Sequence, residues 1–73
     1  MQERDYRKAL GRRIRKLRED RGWSQEEFAA ICKINRSYMG RLERGDLNLT
    51  LHSLERVGNG LETSVSALLK GIL

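Results

Sequence analysis

Five apolar residues at fixed spacing between positions 25 and 44 constrain the fold of this chain most strongly. Counted from Gln25 as the first of twenty positions, they stand at positions 4, 8, 10, 15 and 18: Phe28, Cys32, Ile34, Met39 and Leu42. This spacing predicts two short helices joined by a tight turn at Lys33, with their facing sides buried. Ala29 falls where the two helices would approach too closely for a larger side chain. A plain helical hairpin would share this pattern and remains an alternative at this point.

Start and stop signals place this pair of helices within an all-α chain of five helices. The 73 residues include no proline, and their apolar residues recur at helical spacing. Ser24 and Glu27 form a capping box before the second helix, while Asn35 and Gly45 bracket the third. The predicted helices cover residues 5–21, 25–32, 36–44, 51–61 and 65–70 of the printed sequence.

Two further apolar stripes belong to the first and fourth helices. The buried faces are predicted to contain Tyr6, Leu10, Ile14 and Leu17 in the first, and Leu51, Leu54, Val57 and Leu61 in the fourth. No repeat, linker or low-complexity segment interrupts the pattern. We therefore expect a single domain over residues 1–73, in which the first few residues fray.

Positive charge is concentrated in one part of the chain. Residues 1–44 contain thirteen Lys/Arg and seven Asp/Glu, whereas residues 45–73 contain two and three. This asymmetry favours a polyanionic partner that contacts the first part of the chain, although a solvated basic surface would have the same composition.

Several classes of function lack the residues that they require. Cys32 is the single cysteine and His52 the single histidine, so neither a disulfide framework nor a zinc site is expected. No nucleophile–base pair and no phosphate-binding glycine loop is present, and no apolar stretch approaches the ~20 residues of a membrane span. We expect a cytoplasmic protein that is not an enzyme and uses no metal or cofactor, with Cys32 in the core.

Over residues 10–69, the chain resembles the Cro/CI-type (XRE-type) helix-turn-helix regulators of bacteria and phages. The resemblance is carried by the segments LGRRIRKLREDRGWSQEEFA and RSYMGRLERGDLNLTLHSLERVGNGL. It implies a compact five-helix domain of the lambda-repressor-like fold that binds a double-stranded DNA operator. The segment LERGDLNLTLHSLERV is most similar to the small controller proteins of restriction–modification systems, which bind DNA as homodimers. Lys33 departs from the family, in which glycine is common at this turn position.

The exposed face of the third helix is predicted to read DNA bases in the major groove. Its members lie at the spacing of one helical stripe and are Asn35, Arg36, Ser37 and Arg41. The two arginines have donor forks that match guanine O6 and N7. Gly40, on the same face, either lets the helix axis approach the groove or only weakens the helix.

A second set of residues is predicted to contact the DNA backbone, which fixes register without reading sequence. Gln25 begins the second helix, where the helix dipole favours a phosphate, and the resembling family uses this glutamine as a backbone clamp. The other members are Tyr38, Arg44, Asn48 and Arg13. Trp23 is open between a DNA contact and a core position.

Two structural features complete the sequence-based expectations. The resemblance implies an ion pair between Arg18 and Glu43 that ties the first helix to the third. The leucine-rich C-terminal third is expected to form a two-fold homodimer through Leu69, Ile72 and Leu73.

Such a dimer would bind a near-palindromic operator and regulate transcription, either by blocking RNA polymerase or by touching it. The alternative is an antitoxin or protein-interaction module of the same fold, whose exposed leucines bind a protein partner.

Overall fold

The computed structural model describes residues 5–73, which form five helices and no strand. These are α1 (Tyr6–Asp20), α2 (Gln25–Cys32), α3 (Arg36–Arg44), α4 (Leu51–Leu61) and α5 (Val65–Leu69). The predicted all-α fold is confirmed, and each helix begins and ends within one residue of its predicted bounds. The expected fraying concerns the first few residues, and residues 1–4 lie outside the described range.

Side-chain caps explain where α2, α3, α4 and α5 begin, whereas Asp5 makes no such bond at the start of α1. The Ser24 hydroxyl accepts from the Glu27 N–H at 3.0 Å, and the Glu27 carboxylate accepts from the Ser24 N–H at 2.8 Å. Asn35, Thr50 and Ser64 cap α3, α4 and α5 through their side-chain oxygens. Each cap satisfies an amide that has no partner within its own helix, so the polar residue before each apolar run determines where that helix starts.

The turn between α2 and α3 is made without glycine. Lys33 ends α2 with φ 59°, in the left-handed region that is common for glycine. This conformation costs a lysine roughly 1 kcal/mol. The Lys33 N–H bonds to the Ala30 carbonyl at 3.1 Å, and the Lys33 carbonyl accepts from Arg56 Nη1 at 2.6 Å. Hydrogen bonds on both sides of the residue thus hold the turn geometry that the family resemblance implies.

The helices enclose one core, to which all five contribute. α1 packs against α3 and α5, α2 packs against α3 and α4, and α4 packs against α5. The core contains Leu10, Ile14, Phe28, Ala29, Cys32, Met39, Leu42, Leu54, Val57, Leu61, Leu68 and Ile72. Trp23 stacks on Phe28 with ring centroids 5.7 Å apart, which places its ring against the core. The predicted apolar set of α2 and α3 is buried, with Ile34 partly so.

Two apolar residues in the C-terminal third lie differently from expectation. The prediction that Leu51 lies on the buried face of α4 is wrong, since Leu51 is 66% exposed. Ile72, predicted as a dimer contact, is only 8% exposed within the single protomer. A turn with Gly71 at φ +79° follows α5 and folds Ile72 back into the protomer's own core. Tyr6, at the end of the α1 stripe, is partly exposed.

Candidate nucleic-acid interface

The third helix has one buried face and one exposed face. Met39 and Leu42 point into the core and are almost fully buried. The predicted base-reading residues are all exposed: Asn35, Arg36, Ser37 and Arg41. The core therefore holds α3 by its inner face and leaves a row of polar side chains accessible along its outer face.

A buried carboxylate, that of Glu43, fixes α3 to the two helices before it. Arg18 of α1 donates to it through Nε at 2.8 Å and Nη2 at 3.0 Å, and this pair leaves only 11% and 3% of the two side chains exposed. The hydrogen bond to Glu43 raises the pKa of Arg18. The pair is doubly hydrogen-bonded and shielded from water, so loss of either partner would leave a buried charge without its counter-charge, and this ties α1 to α3.

Gln25 also bonds to the Glu43 carboxylate, and this contact was not predicted from the sequence. Its Nε2 donates to Glu43 Oε1 at 3.0 Å, so the carboxamide at the start of α2 is held in one orientation. Gln25 and Glu43 are 18 residues apart, and no local spacing rule connects them. The predicted backbone-contacting residue is thus positioned by the same carboxylate that anchors α3.

The loop after α3 holds two other predicted backbone contacts in polar pairs. Arg44 Nε lies 2.9 Å from the Asp46 carboxylate, and Arg41 Nη2 lies 3.3 Å from the Asp46 carbonyl. The Arg44 hydrogen bond lowers the pKa of Asp46. Asn48 accepts from Arg7 Nη1 at 3.3 Å, which brings the start of α1 to this end of the interface. Arg7 was not among the predicted contacts.

Arg13 lies in a different environment. Its Nη1 donates to the Leu68 carbonyl at 3.0 Å and to the Lys70 carbonyl, so it caps the C-terminal end of α5. These bonds occupy the guanidinium within the protomer. We therefore assign Arg13 a structural role and leave the DNA contact predicted for it out of our proposal.

Asn35 and Tyr38 both have structural roles at the start of α3. The Asn35 side-chain oxygen accepts from the Ser37 N–H at 2.8 Å and from the Tyr38 N–H at 3.3 Å, which leaves its amide group for other partners. The Tyr38 ring packs against the core, and its hydroxyl oxygen is buried without a partner in the described part of the chain. The packed ring of Tyr38 thus helps to hold the N-terminal half of α3 against the core.

Residues 5–73 lack the features of two other kinds of site. No group of three or more His, Cys, Asp and Glu side chains in this range could hold a metal ion. None of the described helices is both long and apolar enough to cross a membrane. Burial raises the pKa of the Cys32 thiol to about 11, as expected for a core side chain.

Comparison with known proteins identifies the family. Residues 9–69 match the helix-turn-helix domain family. The chain belongs to this family of DNA-binding transcription regulators. The predicted family membership and lambda-repressor-like fold are both confirmed.

Two curated relatives from the helix-turn-helix family align with nearly the whole chain. Control protein C.MunI from Mycoplasma sp is 35% identical over 69 residues, which cover 93% of each chain. A hypothetical transcription factor from Neisseria meningitidis is 36% identical over 67 residues, which cover 92% of this chain and 63% of the relative. The chain therefore spans less than two thirds of the Neisseria protein.

Solved helix-turn-helix structures superpose on this fold. The restriction-modification controller protein C.AhdI from Aeromonas hydrophila has a TM-score of 0.80 at 36% identity, with 88% of this chain and 96% of C.AhdI covered. The biofilm regulator SinR of Bacillus subtilis, solved in complex with DNA, has a TM-score of 0.77 at 34% identity, with 82% and 97% covered.

Proposed function

We propose that this chain is a sequence-specific transcription regulator that binds a near-palindromic operator in double-stranded DNA as a homodimer. The observation that carries the proposal is the exposed polar face of α3, whose inner face is anchored to α1 and α2 through Glu43. A rigid helix with arginines on its free face suits the major groove, where bidentate donors distinguish guanine from the other bases.

The interface residues divide by the contact that each would make. Arg36, Ser37, Arg41 and the free amide of Asn35 would reach base edges. The Arg36 guanidinium forms no hydrogen bond or ion pair within residues 5–73, so its donor fork is available without breaking an internal contact. The backbone contacts would come from Gln25, Arg44 and Asn48, and Tyr38 is left out of this set because its hydroxyl is buried.

Arg41 and Arg44 would exchange partners on binding. Both lie against Asp46 in the free protein, at exposed positions where an ion pair contributes little to stability. A DNA phosphate or guanine would replace Asp46 at small cost.

The homodimer would use the apolar residues that remain exposed near the C-terminus. Leu73 is 79% exposed, and Leu69 packs against the core with part of its surface still accessible, so both retain apolar surface for a second copy. Sedimentation velocity at micromolar concentration, with and without operator DNA, tests this part. We expect a dimer on DNA; a strictly monomeric protein under both conditions would contradict it.

We further propose that the regulated genes belong to a restriction–modification system. The support is similarity to the control proteins C.MunI and C.SmaI and to the controller C.AhdI, each aligned over most of its length. Transcription from the chain's own promoter region, measured with purified RNA polymerase, shows whether the bound protein represses or activates. Unchanged transcription of an adjacent methyltransferase or endonuclease gene would contradict the assignment.

Binding to the DNA upstream of the chain's own gene tests the central proposal. Fluorescence anisotropy with a labelled upstream duplex and a scrambled duplex of equal length gives the specificity ratio. We expect the upstream duplex to be preferred and its affinity to fall steeply with salt, because phosphate contacts release counterions. Equal affinity for both duplexes would favour a protein-interaction role.

A further inference from the structure

Gly40 lies in the middle of α3, where glycine is less favourable than alanine. Three side chains cover it. A Cβ at this position would lie 3.3 Å from Arg44 Nη1, 3.4 Å from Gln25 Oε1 and 3.7 Å from Arg36 Nη1. All three neighbours belong to the proposed DNA interface, so the glycine is at the point where their polar groups converge.

Other helical glycines of this chain are required by packing. A Cβ at Gly11 would lie 2.5 Å from the Glu43 carbonyl oxygen, and one at Gly58 would lie 2.8 Å from the Thr63 carbonyl oxygen. Those positions exclude any side chain because backbone cannot move aside. At Gly40 the neighbouring atoms are instead the ends of side chains. The fold itself therefore does not require a glycine at position 40.

The three neighbours of Gly40 differ in their freedom to move. Gln25 is held by its hydrogen bond to the buried Glu43 carboxylate. Arg36 and Arg44 stand one helical turn before and after Gly40, on the same face of α3, and both are exposed. An added methyl group would make ordinary van der Waals contact with Gln25 and Arg36 but would lie slightly too close to Arg44 Nη1, so the Arg44 guanidinium would shift outward.

We propose that Gly40 is a positioning residue for DNA recognition. Its lack of a side chain lets the guanidinium groups of Arg36 and Arg44 lie beside the Gln25 carboxamide, close to the α3 backbone. A methyl group at this position displaces the Arg44 guanidinium, and a longer side chain would also occupy the space beside Arg36. The inference rests on the proposed function and adds a residue that makes no DNA contact itself and positions side chains that do.

The variant Gly40→Ala tests this because its effects on stability and on binding have opposite signs. Alanine raises Tm, since it is the better helix former. The same change weakens binding to all sequences about equally, by up to about tenfold if the Arg44 contact is lost entirely. A Tm below that of the wild type would overturn the proposal, because the fold would then need the glycine.

A double-mutant comparison separates positioning from a direct collision between the new methyl group and DNA. If Gly40 acts through the arginines, Gly40→Ala has a much smaller effect on affinity in an Arg36→Ala, Arg44→Ala background. An undiminished effect there would overturn the proposal, as would wild-type affinity in the single variant. Failure of the wild-type protein itself to prefer its upstream DNA would instead remove the proposed function, and this inference with it.

Discussion

The arginines of the scaffold, by which we mean α1, α2, α4 and α5 with their connecting turns, use the guanidinium group differently from the arginines of α3. Arg13, Arg21 and Arg56 each donate to a carbonyl at the C-terminal end of a helix, respectively α5, α4 and α2. Such carbonyls have no partner within their own helix, and the helix dipole favours a cation beside them. On α3, by contrast, the Arg36 guanidinium has no hydrogen-bond or ion-pair partner in residues 5–73, and that of Arg41 donates to the Asp46 carbonyl at 3.3 Å.

This difference shows that positive charge alone does not mark the DNA-binding surface. Much of the charge outside α3 is used to close helix ends and to join helices across the core. Substitutions on the scaffold should therefore change the free energy of unfolding and leave sequence preference intact. Substitutions on the outer face of α3 should do the reverse.

The largest effect on stability is expected from substitution of Glu43. This residue is part of α3, but its carboxylate bonds to Arg18 of α1 and Gln25 of α2. Glu43→Ala leaves Arg18 largely buried without its partner and frees Gln25. Removing one member of a buried pair costs about 3–5 kcal/mol. Urea denaturation should show this loss, with Glu55→Ala on the exposed side of α4 as the matched control. A Tm equal to that of the wild type would contradict this structural role of Glu43.

The next effect is on recognition. Arg36→Ala should lose about 1–3 kcal/mol of discrimination at one operator position, the value of one bidentate base contact, with Tm little changed. Anisotropy titrations against operators substituted at single base pairs measure it.

Arg44→Ala is the control for Arg36→Ala, since it removes the same side chain from the same exposed face. Loss of this backbone contact should weaken binding to all sequences about equally and reduce the salt slope by about one. Equal effects of the two variants on sequence preference would show that the outer face of α3 is not divided between base contacts and backbone contacts.

A smaller effect on stability is expected at Arg13. Arg13→Ala removes a charged donor from two carbonyls at the end of α5, a loss of about 1.5 kcal/mol. Denaturation measures that loss, and operator preference should remain that of the wild type. Relaxed sequence preference at any base pair would show that Arg13 belongs to the DNA interface and not to the scaffold.

Features determined by neighbouring residues were predictable from the sequence. The caps at Ser24 and Asn35 and the stop at Gly45 depend on side chains within a few positions, so the bounds of α2 and α3 follow directly. Helical periodicity also separates the inner face of α3 from its outer face. Family resemblance supplied the pairing of Arg18 with Glu43, which local rules do not contain.

Features that depend on distant contacts were not predictable in this way. Arg13 meets Lys70 across 57 positions, and nothing in the basic stripe of α1 distinguishes it from the arginines that remain in solvent. Counting leucines likewise overestimated the exposed apolar surface, because the turn after α5 returns Ile72 to the core. Whether a cationic or apolar side chain is buried within the protomer depends on tertiary contacts, which the neighbouring sequence does not specify.

The smallest expected effect is a pH dependence at the start of α2, beside Gln25. The hydrogen bond from the Ser24 backbone N–H holds the pKa of the Glu27 carboxyl below its ordinary value of 4.5. Because the pKa is lower in the folded state, this contribution to stability is present above pH 4.5 and is lost as pH falls through the folded pKa. Glu27→Ala should therefore be less stable than the wild type at neutral pH, and the gap should close in acid.

Glu26→Ala is the control for this pH effect, since it removes a carboxylate from the same turn without touching the capping box. Thermal melts between pH 3 and pH 7, a range of about four units that brackets the ordinary Glu pKa, measure both gaps. We expect the Glu27 gap to be the larger at neutral pH and operator preference to be unchanged in both variants. A pH-independent Glu27 gap would mean that its carboxylate charge is not what stabilises the start of α2. Altered operator preference in Glu27→Ala would instead show that the cap positions Gln25, which would extend the interface into the scaffold.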